Sequence, residues 1–228
     1  MLSQGVLPAT SDESAMQDRI DALEKIYSTL LAKKEALGEA TAGLKDEVFK
    51  TRFGLFGSIT LQESRRLLPD LCLPEDGNIN ILDLGSGGSA RFIFHLAAVR
   101  SNIRKLIGIE VEEDLHAISL EVLHEAQKSC AQLGGPLVRP MQVELLNGNF
   151  FDKKFKHVIR ASDRVFYYLS TTDDEEKVVD LIGKNLVRPN ARFLAFGDAE
   201  NPFPELVTKY KFTRTDGELL IMYSKNTR

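Results

Sequence analysis

The feature that most constrains this chain is the segment ILDLGSGGSARFIFHLAAV, residues 81–99. An apolar run containing one acid, Asp83, breaks into glycines and then resumes as an apolar helical pattern. A run that is apolar at successive positions suits a strand covered on both faces, and such strands belong to parallel sheets flanked by helices. The glycines between strand and helix allow a tight turn and let a ligand approach the backbone closely.

The rest of the chain continues that alternation. Further strands are expected at 105–111, 141–146, 164–169 and 191–197, after a first strand at 79–84. Helices are expected between them at 90–100, 114–133 and 173–186. At the end, KYKFTRT, then Asp216-Gly217, then ELLIMYSK reads as an antiparallel hairpin, because an Asp-Gly step suits a tight turn. The expected fold is therefore α/β and doubly wound. It has a mostly parallel seven-stranded sheet with an antiparallel C-terminal hairpin, a Rossmann-like arrangement, plus an N-terminal helical extension.

That extension begins with Thr10 and Glu13 at capping-box spacing. Met16, Ile20, Leu23, Tyr27, Leu30 and Leu37 then fall on one face of a helix over 12–37. The face reads first as packing on its own domain, and its three heptads also make it a candidate dimer surface. DEVFKTRFGLFGS follows as a loop with aromatic anchors, then a helix over 60–71. The division expected is residues 1–55 as the helical extension and 56–228 as the main domain.

Composition narrows the partners. The chain has 228 residues, 43% of them hydrophobic, enough for one such domain with a real core. Its 29 Lys and Arg against 33 Asp and Glu leave a formal charge of -4, so the overall field gives no strong nucleic-acid signal. A local groove can still be basic. Cys72 and Cys130 form no CxxC, and His95, His116, His124 and His157 are scattered, so neither a disulfide nor a metal site is read. No basic leader and no apolar run of membrane-spanning length is evident, so an intracellular, cytoplasmic chain with no membrane contact is expected.

Gly85, Gly87 and Ala90 satisfy the loose pattern G-x-G-x-x-G/A, and Glu110 lies 25 residues after Gly85 at the end of the next strand. On that spacing alone the ligand is a nicotinamide cofactor, a flavin or S-adenosylmethionine, with the acid accepting ribose hydroxyls. Asp83 separates them. A carboxylate within a few ångströms of a diphosphate is repelled by about a few kcal/mol at intermediate dielectric. S-adenosylmethionine carries no phosphate, and its sulfonium and ammonium suit a neighbouring acid.

ILDLGSGGSARF together with IGIEV resembles the first two motifs of class I S-adenosylmethionine-dependent methyltransferases, a resemblance covering about residues 56–228. It implies that Asp83, Gly85, Ser86, Gly87 and Glu110 hold S-adenosylmethionine. In ELLNGNFFD it implies that Asn149 bonds the adenine amino group and Phe150 lies on the ring. Read without the resemblance, NGN is a turn as readily as a contact.

The order of the parts is similar to the non-SET histone lysine methyltransferases of the disruptor-of-telomeric-silencing type. Phe56-Gly57 stands where that family has Tyr-Gly, Asp83-Leu84-Gly85-Ser86-Gly87 matches outright, and Gly148-Asn149-Phe150 matches with Asn for Asp. The resemblance implies a protein lysine as methyl acceptor, and a nuclear setting if the substrate is a histone. Phe56, Tyr167 and Tyr168 are the acceptor-side residues, since aromatic faces at strand ends can orient an amine. Departures accompany it: Ser58 replaces the loop acid, FYYLS lacks paired asparagines, and the lysine-rich tail is absent. Two alternatives stand beside it, a small-molecule acceptor and a non-catalytic module that recruits partners through the N-terminal helix. Asn201-Pro202-Phe203-Pro204 follows the fifth strand and reads as a turn.

Overall fold

The computed structural model describes residues 11–40, 78–87, 90–100, 103–130, 135–139, 142–168, 175–188, 191–196, 206–213 and 219–225. The elements in chain order begin with helix α1 (Ser11–Ala40), strand β1 (Ile79–Leu84), helix α2 (Arg91–Val99), strand β2 (Ile103–Glu110) and helix α3 (Glu113–Gln127). Two-residue strands β3 (Ser129–Cys130) and β4 (Gly135–Pro136) precede strand β5 (Val143–Asn147). A 3-10 turn (Lys153–Phe155) then enters helix α4 (Lys156–Ala161), followed by strand β6 (Arg164–Tyr168) and helix α5 (Glu175–Asn185). Strands β7 (Arg192–Phe196), β8 (Leu206–Thr213) and β9 (Leu219–Lys225) complete the series.

All six residues of β1 are buried, as its continuous apolar run predicts for a central parallel strand. It sits in the middle of a five-stranded parallel sheet ordered β5-β2-β1-β6-β7. Ile79 and Ile81 point to one face, where they meet Leu106, Val143, Phe166 and Leu194 under the helices. Leu82 and Leu84 point to the other and pack with Ile107, Ile109, Val165, Phe193 and the apolar sides of α4 and α5. The order reverses between β1 and β6. In open α/β sheets that reversal marks the crevice, beyond the carboxyl ends of the strands, where ligands bind.

Helix α2 explains why the chain needs α1. Phe92 through Ala98 are all buried, so α2 is apolar around its whole circumference and must be covered on the side away from the sheet. The cover is α1, whose Ile20, Leu23 and Tyr27 are buried. Arg19 clasps the pair: its guanidinium donates to the carbonyl of Ala98 at 2.9 Å and to that of Leu137. His95 Nε2 lies 3.2 Å from Glu24 Oε1, and the Arg91 guanidinium lies 4.9 Å from the Tyr27 ring centre. The N-terminal helix thus packs on α2 through Ile20, Leu23 and Tyr27 of the stripe its spacing marked, while the Leu37 side chain lies outside the described residues.

Among the described residues the bonded parallel sheet holds five strands, while β8 and β9 pair antiparallel with each other and β9 runs beside β7. Two expectations are corrected. Helix α3 stops at Gln127 and not near 133: Lys128 leaves it in an extended conformation, and Cys130 pairs with Gly135. Helix α4 was not expected at all. The helix predicted at 60–71, the aromatic loop with Phe56 and Ser58, and the 201–204 turn lie outside the described residues.

Candidate functional site

The site is built where three strand ends converge. Gly85 and Gly87 adopt positive φ, 79° and 66°, which favours glycine. The turn they form folds back onto β2: the Gly85 and Ser86 amides both donate to the carbonyl of Ile109, at 2.8 and 3.1 Å. Among the described residues an ideal Cβ at either glycine would meet nothing within 4 Å.

Glu110 organises the surroundings of that loop. One of its carboxylate oxygens accepts the Gly87 amide at 2.7 Å and the other accepts the Glu112 amide at 3.0 Å. Its backbone carbonyl accepts the Gly148 amide at 2.9 Å and the Asn147 side-chain amide at 3.1 Å, tying β5 to β2. The side chain is therefore held in one place with little exposure. Each carboxylate oxygen keeps a lone pair beyond the one these bonds use, available to a hydroxyl from outside.

Asp83 is only 4% exposed, at the end of β1 between Gly108 of β2 and Phe166 of β6. Phe166 stacks on Phe92 with ring centres 4.0 Å apart, which makes the floor beside it aromatic and dry. Burial, and secondly the Glu110 charge, push the Asp83 carboxyl up to about 8. Among the described residues no hydrogen bond reaches that carboxyl, an expensive arrangement for a buried acid. Two carboxyl groups thus flank the glycine turn, one anchored by amides and one that receives no hydrogen bond among the described residues. That pair fits a ligand with hydroxyls and positive charge.

The remaining expected residues divide. Ser86 lies over β2, and an ideal Cβ at Gly108 would stand 2.8 Å from its Oγ. Asn149 is exposed and its Oδ1 accepts the Phe151 amide at 3.0 Å, a side-chain turn of the kind that Asn makes in loops. Phe150 is half-buried and meets the Tyr167 ring edge-on with centres 5.8 Å apart. Tyr167 is buried on the α4 and α5 face of the sheet, opposite to Phe166, since neighbours in a strand alternate. The Tyr168 side chain and Phe56 lie outside the described residues.

Two positions were missed, and the backbone geometry of a third, Gly148 of the motif match, was not foreseen. Gly108 leaves room for Ser86 and for Leu145, and its signal was a glycine inside a buried strand, which marks close approach of another chain segment. Val111, next to Glu110, is 56% exposed, an apolar side chain left uncovered at the lip of the site. Gly148 has φ 142° and sits against the Lys154 ammonium and the Phe155 ring.

No protein-family model and no curated protein matches the chain. Solved structures do. An O-methyltransferase from Bacillus cereus, solved with SAH, is similar over 98% of this chain and 94% of its own, with a TM-score of 0.57 at 14% identity. The rRNA methyltransferase aviRa from Streptomyces viridochromogenes is similar over 72% of this chain and 83% of its own, with a TM-score of 0.53 at 13% identity. MtNAS, solved with S-adenosylmethionine, covers 92% of this chain and 72% of its own, with a TM-score of 0.51 at 12% identity. The fold of the chain is the α/β Rossmann-like fold of these proteins. Among the described residues no helix is long and apolar enough to cross a membrane.

Proposed function

We propose that the protein is a class I methyltransferase that uses S-adenosylmethionine as its methyl donor. The observation that carries this is the buried Asp83 carboxyl, without a hydrogen bond among the described residues, beside a glycine turn that Glu110 holds in place. Asp83 would face the positive methionine end of the donor, and Glu110 would accept its ribose hydroxyls. Asn149, Phe150 and Val111 would border the adenine. When bound, the donor supplies an activated methyl group, and the chain's part is to align it and exclude water. Three proteins of this fold were solved with the donor or its products, or act as methyltransferases by name, which supports the same reading.

The acceptor is a finer matter. The motif order favours a protein lysine, with Phe56, Tyr167 and Tyr168 on the acceptor side. Tyr167 fits that role only at its edge, because its ring is buried against Phe150. A small-molecule acceptor uses the same donor site. In both readings the β8–β9 pair extends the sheet beyond β7 as its last two strands. The test is transfer of a radiolabelled methyl group from S-adenosylmethionine into histones, lysate protein, RNA or extracted metabolites. Incorporation into any class supports the enzyme, and the class names the acceptor. Tight donor binding with no incorporation in any of them indicates the non-catalytic module.

A further inference from the structure

The segment DKKFKHVIR, residues 152–160, has no part in holding the donor, yet it begins two residues after Phe150 at the rim of the site. Its apolar residues all turn inward: Phe155, Val158 and Ile159 are buried in the core on the α5 side of the sheet. The outward side is left to Lys153, Lys154, His157 and Arg160, which are exposed, and to Lys156, which is half-buried. Lys156, His157 and Arg160 are three or four residues apart on one face of α4, and Lys153 precedes them in the 3-10 turn.

Within residues 152–160 the one acid is Asp152, against three lysines and an arginine. Elsewhere on the surface Lys105 pairs with Glu144, Lys128 with Glu125, Lys184 with Asp180 and Arg188 with Asp163. Among the described residues no ion pair involves Lys153, Lys154, Lys156 or Arg160. Lys154 rests on the Phe155 ring at 4.7 Å and reaches the Gly148 backbone, so its charge sits at the carboxyl end of β5 where Glu110 is tied. With Asp152 counted, residues 152–160 carry a formal charge of +3 on a chain whose formal charge is -4, a local reversal of sign. Phe151, next in sequence, is partly buried against the core with its ring 4.5 Å from that of Phe150.

We infer that the outer face of residues 153–160 is a docking surface for a nucleic-acid backbone, whose phosphates Lys153, Lys154, Lys156 and Arg160 neutralise. Binding by this face is independent of the methyl-donor reading. Only the further step, that it brings a substrate to the rim beside Phe150 and Glu110, rests on that reading. The overall negative charge keeps the attraction local, so only a strand lying along this face gains from it.

Fluorescence anisotropy of the full chain with a labelled single-stranded RNA of about 20 nucleotides, across a salt series, tests this. Binding at low salt with a log–log salt slope of about -3 is expected for four phosphate contacts on a single strand. The triple variant Lys153→Glu, Lys156→Glu, Arg160→Glu should weaken binding by about tenfold or more and flatten the slope. Its melting temperature and its titration with S-adenosylmethionine should stay at wild-type values. If the triple variant does not fold, Lys153→Gln alone should still reduce the slope by about 0.7. Duplex DNA in parallel tells which nucleic acid is preferred, and binding of either supports the assignment. No binding at low salt, wild-type binding by the charge-reversed protein, or equal competition by an acidic peptide of matched charge would overturn it. Because the donor titration is run without nucleic acid, failure of the docking surface and failure of the methyl-donor reading are told apart.

Discussion

The Gly87 amide donates to the Glu110 carboxylate at 2.7 Å, so the glycine turn after the first strand is held by a side chain from the end of the second. The same carboxylate takes the Glu112 amide, and its residue's carbonyl takes that of Gly148. One acid therefore fixes three chain segments before any ligand arrives, which is preorganisation built from backbone amides.

Removing that acceptor should harm both fold and ligand. Glu110→Ala leaves two amides without their partner, that of half-buried Gly87 and that of exposed Glu112. Stability should fall by about 1–3 kcal/mol, as for other lost buried hydrogen-bond acceptors. Donor affinity should fall by a similar amount. Chemical denaturation and calorimetric titration read the two separately. Glu110→Gln keeps the shape but only one acceptor oxygen, and should lie between.

Gly108 carries a steric prediction. A Cβ there would stand 2.8 Å from Ser86 Oγ, 2.9 Å from Ser86 Cβ and 3.0 Å from Leu145 Cδ2. Gly108→Ala should destabilise by about 1–3 kcal/mol through overpacking and lift the glycine turn from β2. Adding Ser86→Gly should restore part of the loss, and a double-mutant cycle measures the coupling.

The carboxyl of Asp83 makes the ligand-free protein sensitive to pH. Its folded value is raised to about 8, above its ordinary 3.8, so the folded chain keeps a proton that the unfolded chain releases. Stability from this group is fully present below its unfolded value and is lost as pH rises toward about 8. Asp83→Asn should therefore stabilise the ligand-free protein at mildly alkaline pH and change it little in acid. Melting temperatures across a pH series check this; a variant that is less stable at every pH contradicts it.

Arg19 tests the role of the N-terminal helix. Its guanidinium links α1 to the carbonyls of Ala98 and Leu137. Arg19→Ala should cost about 1–3 kcal/mol, because hydrogen bonds from a charged donor are lost and two carbonyls are left behind. Hydrogen exchange should speed up in α1 and along the face of α2 that it covers. Exchange in β1 should change less.

Much of this was legible in the sequence, for reasons that can be named. The first strand was readable to the residue because Ile79 through Leu84 are buried on both faces, and nothing but a near-continuous apolar run satisfies that. The stripe of α1 was readable because a single helical face is buried. Helix α4 was invisible: it buries only Val158 and Ile159 in six residues, too few to display a period beside a lysine, a histidine and an arginine. The end of α3 was misplaced because it is set from outside the helix, where the Val138 amide bonds Ala126. In the site, the residue types at 83, 85, 87 and 110 were legible, but not the bond that joins 87 to 110. Gly108 was overlooked because its reason, Ser86 lying over it, exists only once two strands are side by side. Asn149 is the reverse case: the motif suggested a ligand contact, and the structure adds a turn its side chain closes by accepting the Phe151 amide.

The central claim is that a buried acid beside the glycine turn selects a positively charged donor, and isothermal calorimetry tests it most directly. S-adenosylmethionine and NAD are titrated into the full chain, in buffers of different ionisation enthalpy, between about pH 6 and 8. The account predicts that S-adenosylmethionine binds and NAD does not. Affinity should rise with pH by up to about tenfold per unit, with release of about one proton as the Asp83 carboxyl ionises against the ligand. Asp83→Asn should weaken binding and abolish both the rise and the proton release. NAD binding in place of S-adenosylmethionine, or an Asp83→Asn variant that binds S-adenosylmethionine as the wild type does, would contradict it.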